Sequence, residues 1–170
     1  MKLKMAQIIA NKYLQLLRPY CERIEVAGSI RRQKSEVKDV ELICIPKTVE
    51  TNEDMFKPTY GRVPQFVQLV NSWTRIKGDP AEGKYCARQL PEGIQLDLFI
   101  CSAENWGYQL ALRTGPAMFS KSLVCKLREF GYGCRDGNVY YRDSLHPVEE
   151  EKEIFRMLRR EFVPPEYRMW

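Results

Sequence analysis

Two runs with the composition of core strands carry acids in their midst, and this constrains the chain more than any other feature. Asp39-Val40-Glu41-Leu42-Ile43-Cys44-Ile45 ends at Pro46, and Ile94-Gln95-Leu96-Asp97-Leu98-Phe99-Ile100 runs into Cys101. Asp39 and Glu41 stand two apart, so on a strand both side chains project from one sheet face, close enough to share a divalent cation. On an arbitrary strand such a pair commonly faces water. Here the flanking apolar residues bury the strand, and Asp97 is in the same predicament between Leu96 and Leu98. Uncompensated buried acids are costly, and a metal ion removes the problem. Three acids on two core-like strands predict one shared site of hard oxygen ligands, which suit Mg²⁺ with phosphate oxygens completing its shell. The chemistry implied is phosphoryl or nucleotidyl transfer, in which two ions lower the pKa of an attacking hydroxyl and neutralise a leaving pyrophosphate.

Upstream, Ile24-Glu25-Val26-Ala27 reads as a strand neighbouring the first acidic one and leads into Gly28-Ser29. A glycine there lets the backbone approach a phosphate, and Ser29 adds a hydroxyl and an N–H donor. Arg31 and Arg32 fit a solvated turn, or one of them can hold phosphate oxygens bidentately. Before this strand, Met5, Ile8, Ile9, Tyr13, Leu16 and Leu17 predict a helix over 5–17, stopped by Pro19. Lys47 to Pro64 reads as an exposed loop, followed by a helix from Gln65 to Trp73 with Phe66, Leu69, Val70 and Trp73 on one face. Ile76 to Gln89 and Ile94 to Cys101 predict an antiparallel pair turned by Pro91-Glu92-Gly93. A helix over 104–112 stops at Thr114-Gly115-Pro116, a subdomain boundary signal. Beyond it come a basic amphipathic helix over 117–130, an Asp136-Gly137 hairpin and a helix from Glu149 to Arg160.

The 170 residues, 44% of them hydrophobic, can bury a core without staples, as one domain or two small ones. The net charge of +5 suits a polyanionic partner. Cys21, Cys44, Cys86, Cys101, Cys125 and Cys134 form no C-x-x-C, and His146 is the sole histidine, which argues against a zinc site. Cys44 and Cys101, inside apolar runs, read as buried free thiols of a reduced, intracellular protein, cytoplasmic or nucleoid-associated. The basic start Met1-Lys2-Leu3-Lys4-Met5 is followed by apolar residues broken at Gln7, Asn11, Lys12 and Gln15, which fits neither a signal peptide nor a membrane span.

Taken together, Gly28-Ser29, Arg32, six further residues, Asp39-x-Glu41 and a distant Asp97 on a strand resemble the signature of the polymerase-β-type nucleotidyltransferase superfamily. Leu112-Arg113-Thr114-Gly115-Pro116-Ala117-Met118-Phe119-Ser120-Lys121, the hairpin, Glu151-Lys152-Glu153-Ile154-Phe155 and Pro164-Pro165-Glu166-Tyr167-Arg168 resemble the thumb of family X DNA polymerases. The likeness runs from Val26 to Arg168. It implies an α+β fold: a nucleotidyltransferase-type palm over 1–112, with a mixed β-sheet and helices on one face, then a small α/β thumb over 113–170. It further implies that Asp39 and Glu41 bind two Mg²⁺ or Mn²⁺ ions and Asp97 one of them. Ser29 and Arg32 hold the nucleotide's β and γ phosphates beside Gly28, Thr114-Gly115 forms the turn beneath sugar and base, and Lys121 contacts the template.

Three positions depart from that pattern. Glu41 stands where family X usually has Asp. Val37-Lys38 replaces a small Ser-Gly pair, making Lys38 a candidate phosphate donor. Leu112-Arg113 replaces an aromatic pair that excludes the ribose 2′-hydroxyl. Met1–Glu25 leaves no room for the lyase domain of larger members, so no lyase activity is expected. The expectation is a minimal, monomeric, template-directed DNA polymerase of repair type, as in compact viral members, acting on gapped or nicked DNA and nucleoside triphosphates. The alternatives are a template-independent or non-DNA nucleotidyltransferase and a catalytically silent nucleic-acid-binding relative. A toxin-type nucleotidyltransferase is disfavoured by the thumb-like half.

Overall fold

The computed structural model describes residues 1–51 and 58–168. The chain runs α1 (Leu3–Leu17), β1 (Cys21–Val26), α2 (Gly28–Arg31), β2 (Asp39–Pro46), β3 (Thr48–Glu50), β4 (Tyr60–Arg62), α3 (Pro64–Asn71), β5 (Thr74–Lys77), β6 (Tyr85–Gln89) and β7 (Gln95–Ile100). It continues through α4 (Trp106–Thr114), α5 (Ala117–Glu129), β8 (Tyr132–Arg135), β9 (Asn138–Tyr141), β10 (Ser144–Leu145) and α6 (Glu151–Met157). Among the described residues, five strands form the central sheet in the order β1-β2-β7-β6-β5. Only β2 and β7 pair in parallel within it, so the expected mixed sheet is present.

Strand alternation divides the core. Val40, Leu42, Cys44, Leu96, Leu98 and Ile100 face one way and pack with α1 and α3. Ile43 and Phe99 face the other way, where Ala27 and the α4 residues Trp106 and Leu110 cover them. Helices therefore flank both sheet faces, not one, because the apolar pattern of β2 and β7 continues on the acid-bearing face beyond Glu41 and Asp97. The C-terminal elements close a further cluster around Phe119, Leu123, Leu127, Val139, Ile154 and Phe155, to which α4 contributes Tyr108 and Ala111.

Several elements differ from expectation in detail. Helix α1 buries Ala6, Ile9, Ala10, Tyr13, Leu14 and Leu17, while Met5, Ile8 and Leu16 are exposed. Two alanines on the buried face let the helix lie close to the sheet, a gain that hydrophobic spacing alone does not reveal. The expected strand over 76–89 is two strands, separated by a turn in which Gly78 has φ +74° and a side chain would meet the Tyr85 carbonyl. The expected loop over 47–64 holds the β3–β4 hairpin, and its residues 52–57 lie outside the described ones. The last helix is shorter than 149–160, ending where Arg159 turns to φ +52°. Cys44 is buried as expected; Cys101 is partly exposed. The hairpins at Pro91-Glu92-Gly93 and Asp136-Gly137 form where expected, with Gly93 and Gly137 at positive φ. Among the described residues no helix is long and apolar enough to cross a membrane.

Candidate active site

The parallel register pairs Asp39 with Gln95 and Glu41 with Asp97. Side chains at paired positions of a parallel ladder share a face, so Asp97 stands beside Glu41, with Asp39 one step nearer the strand starts. All three project opposite to Val40, Leu42, Leu96 and Leu98. Helix α4 covers Ile43 and Phe99 farther along the same face, and the three acids remain half-buried rather than enclosed.

Gly28 makes this arrangement possible. Its φ is +61°, and a Cβ placed on it would lie 1.5 Å from Glu41 Oε2, so the carboxylate occupies the space a side chain would take. The Ala27 N–H donates to the Glu41 carbonyl at 2.9 Å, and the Ser29 backbone N–H donates to the Glu41 carboxylate. Ser29, Arg32, Lys34, Ser35, Glu36, Lys38, Asp39 and Glu41 line an open cleft of about 420 Å³. Within it, the Ser29 hydroxyl and the Arg32 Nε are buried without a hydrogen-bond partner among the described residues, so donor capacity is left for a ligand. Arg32 Nη1 donates to the Thr114 carbonyl, and Arg31 donates to Thr114 Oγ1 and, bidentately, to Glu151.

The electrostatics favour an added cation. Burial, reinforced by Asp39, pushes the Glu41 carboxyl up to about 7 against the pull of Arg32 and the Ser29 N–H. Burial and then Asp97 raise Asp39. Burial lowers Arg32 although Glu41 and Asp39 oppose this. Arg32, Lys34 and Lys38 line the cleft together with Glu36, Asp39 and Glu41, yet burial still raises Asp39 and Glu41. Asp97 Oδ1 accepts from the Tyr85 hydroxyl at 2.8 Å and from Gln95 Nε2 at 2.7 Å; burial and this hydrogen bond push Tyr85 up to about 12, so it stays a donor. The donor set of Asp39, Glu41 and Asp97 is all hard oxygen and backed by the Gly28 space, the ligand chemistry that suits Mg²⁺ or Mn²⁺. Among the described residues no three His, Cys, Asp or Glu side chains form a ready-made metal cage: the acids share a face without closing on one point.

Of the residues singled out in the sequence, Ser29, Arg32, Lys38, Asp39 and Glu41 meet at the cleft, Gly28 abuts Glu41 and Asp97 adjoins it through the register. Thr114 is fully buried, its hydroxyl bonded to Arg31, and Gly115 packs against Phe119. Lys121 is exposed on α5 and does not line the cleft. Sequence reasoning missed Lys34, Tyr85 and Gln95. Gln95 was legible, two residues from Asp97 on the same face. Tyr85 needed the β6–β7 register, which pairs it with Phe99.

No protein-family model matches the chain. It is similar to the proteins named Repair DNA polymerase X of African swine fever virus. It is 25% identical over 167 residues to that of strain Badajoz 1971 Vero-adapted, covering 91% of this chain and 86% of the viral protein. It is 24% identical over the same span to that of isolate Pig/Kenya/KEN-50/1950. The likeness is distant but runs along nearly the whole chain.

Proposed function

We propose that the chain is a template-directed DNA polymerase of repair type, transferring nucleotidyl groups from deoxynucleoside triphosphates to a primer 3′-hydroxyl in gapped or nicked DNA. The observation that carries this reading is the β2–β7 register that sets Glu41 beside Asp97, with Asp39 on the same face, at a cleft furnished with Ser29, Arg32 and Lys38. The viral relatives' name supports it. Asp39, Glu41 and Asp97 would hold Mg²⁺ or Mn²⁺, which when bound supplies Lewis-acid activation of the hydroxyl and charge neutralisation at the leaving pyrophosphate. The Ser29 hydroxyl and the Arg32 Nε, without hydrogen-bond partners among the described residues, bind phosphate oxygens, and the exposed Lys38 adds a positive charge.

Primer extension on a gapped duplex, with each nucleotide offered in turn as dNTP and as NTP, tests this. The expected result is incorporation of the complementary dNTP, dependent on Mg²⁺ or Mn²⁺ and abolished by Asp97→Ala. A second reading, a template-independent or non-DNA nucleotidyltransferase, is favoured by Leu112-Arg113 at the expected sugar-excluding position; Arg113 packs its guanidinium on Phe99, 4.2 Å from the ring centre. Template-blind incorporation, or NTPs used as well as dNTPs, moves the assignment there. Equal DNA binding by wild type and Asp97→Ala with no incorporation by either moves it to a silent binding protein.

A further inference from the structure

We propose that Tyr85 and Gln95 are positioning residues that orient Asp97 as a cation ligand, an inference that rests on the function proposed above. Both side chains donate to one oxygen, Oδ1, at 2.8 and 2.7 Å, and no hydrogen bond among the described residues falls on Oδ2. Two donors converging on one oxygen fix the rotation of the carboxylate while leaving its second oxygen for another partner. Both donors are neutral. A lysine or arginine in either place would hold the carboxylate equally well but cancel the charge that a cation needs, whereas a hydroxyl and an amide orient it and leave the charge intact.

The donors are themselves braced. Gln95 pairs with Asp39 in the β2–β7 ladder, one step from the Glu41–Asp97 pair. Tyr85 pairs with Phe99 across β6 and β7, and their rings stack with centres 5.2 Å apart at 29°. Arg113, at the end of α4, lies over the same Phe99 ring. The stack therefore runs from the helix before the Thr114-Gly115-Pro116 turn to the Tyr85 ring, whose hydroxyl reaches Asp97.

Tyr85→Phe keeps the ring stack and removes only the hydroxyl; Gln95→Met keeps side-chain length and removes the amide. The measurement is Mn²⁺ binding to the full chain without nucleotide, read from the electron paramagnetic resonance signal of free Mn²⁺. Circular dichroism and thermal unfolding in EDTA confirm that each variant folds. Partners that orient metal ligands typically carry about 10–100-fold in affinity, so the double variant is expected to bind Mn²⁺ about 10-fold or more weakly, with each single variant in between. The Mg²⁺ concentration for half-maximal nucleotide incorporation rises in parallel while the nucleotide KM stays the same, a split that a general loss of structure does not produce. Folded variants that bind Mn²⁺ within about twofold of wild type overturn this proposal and leave the proposed function standing, since effects of the partner class at issue are about 10-fold. A wild-type chain that neither binds Mn²⁺ nor incorporates nucleotide overturns both.

Discussion

At the scale of single residues, Gly28 and Glu41 are one unit. The backbone at Gly28 is left-handed, which costs another residue about 1–2 kcal/mol, and the Glu41 carboxylate fills the space of the missing Cβ. Gly28→Ala is expected to lower unfolding stability by about 2 kcal/mol or more and to displace Glu41, so that urea unfolding and cation binding suffer together. Full cation affinity in that variant would refute the packing argument. Glu41 also sets a pH dependence. Burial, with Asp39 beside it, pushes its carboxyl from an ordinary 4.5 up to about 7 in the folded chain, so folding favours the protonated form. This contribution is full below about pH 4.5 and is lost as pH rises through about 7, amounting to on the order of 3 kcal/mol by pH 8. In EDTA, wild type is expected to lose stability between pH 5 and 8, and Glu41→Gln to gain stability relative to it at pH 8. A variant no more stable there than wild type contradicts the assignment. Asp39 is raised in the same direction by burial and Asp97, so its contribution has the same sign.

At the scale of elements, legibility followed how local the cause was. Both two-turn signals, Pro91-Glu92-Gly93 and Asp136-Gly137, gave their hairpins because the backbone requirement lies within the turn itself. That Asp39, Glu41 and Asp97 share one face was legible because strand alternation sets it locally. The buried face of α1 was legible in part: Ile9, Tyr13 and Leu17 lie on it as expected, while Ala6 and Ala10 join it because small side chains fit there, which no hydrophobicity count contains. The contacts that tie α2 to α6 were not legible, since Arg31 and Glu151 are far apart in sequence. There Glu151, 5% exposed, accepts from Arg31 at 2.8 and 2.9 Å and from Arg168 at 2.6 Å. Burial pushes Glu151 up, but these hydrogen bonds outweigh it and hold the carboxyl below its ordinary value. Its contribution is therefore present above about pH 4.5 and lost as pH falls below it, opposite in sign to that of Glu41. Glu151→Gln leaves the fully buried Arg168 guanidinium and the partly buried Arg31 without this counter-charge and is expected to cost about 3 kcal/mol, read from chemical unfolding at pH 7. A loss under about 1 kcal/mol would place Arg31 and Arg168 in contact with water.

At the scale of the whole molecule, positive charge is also presented away from the cleft. The acids gather at the starts of β2 and β7, while the exposed side of α5 presents Lys121 and Arg128, and the chain as a whole carries +5. Under the proposed function the duplex lies along α5 while the triphosphate meets Arg32, Lys34 and Lys38, which line the cleft beside the acids. Two consequences separate the roles. Duplex binding without divalent ions should weaken linearly in log K against log salt, since each phosphate contact releases about 0.9 of a counterion. Lys121→Ala should reduce that slope by about 1 while weakening all duplex sequences alike, without altering Mn²⁺ binding at the cleft. Asp97→Ala should do the reverse, abolishing incorporation while leaving the salt slope of duplex binding in place. If Lys121→Ala leaves the slope unchanged, α5 is a solvated face, and the duplex must be held by basic residues elsewhere on the molecule.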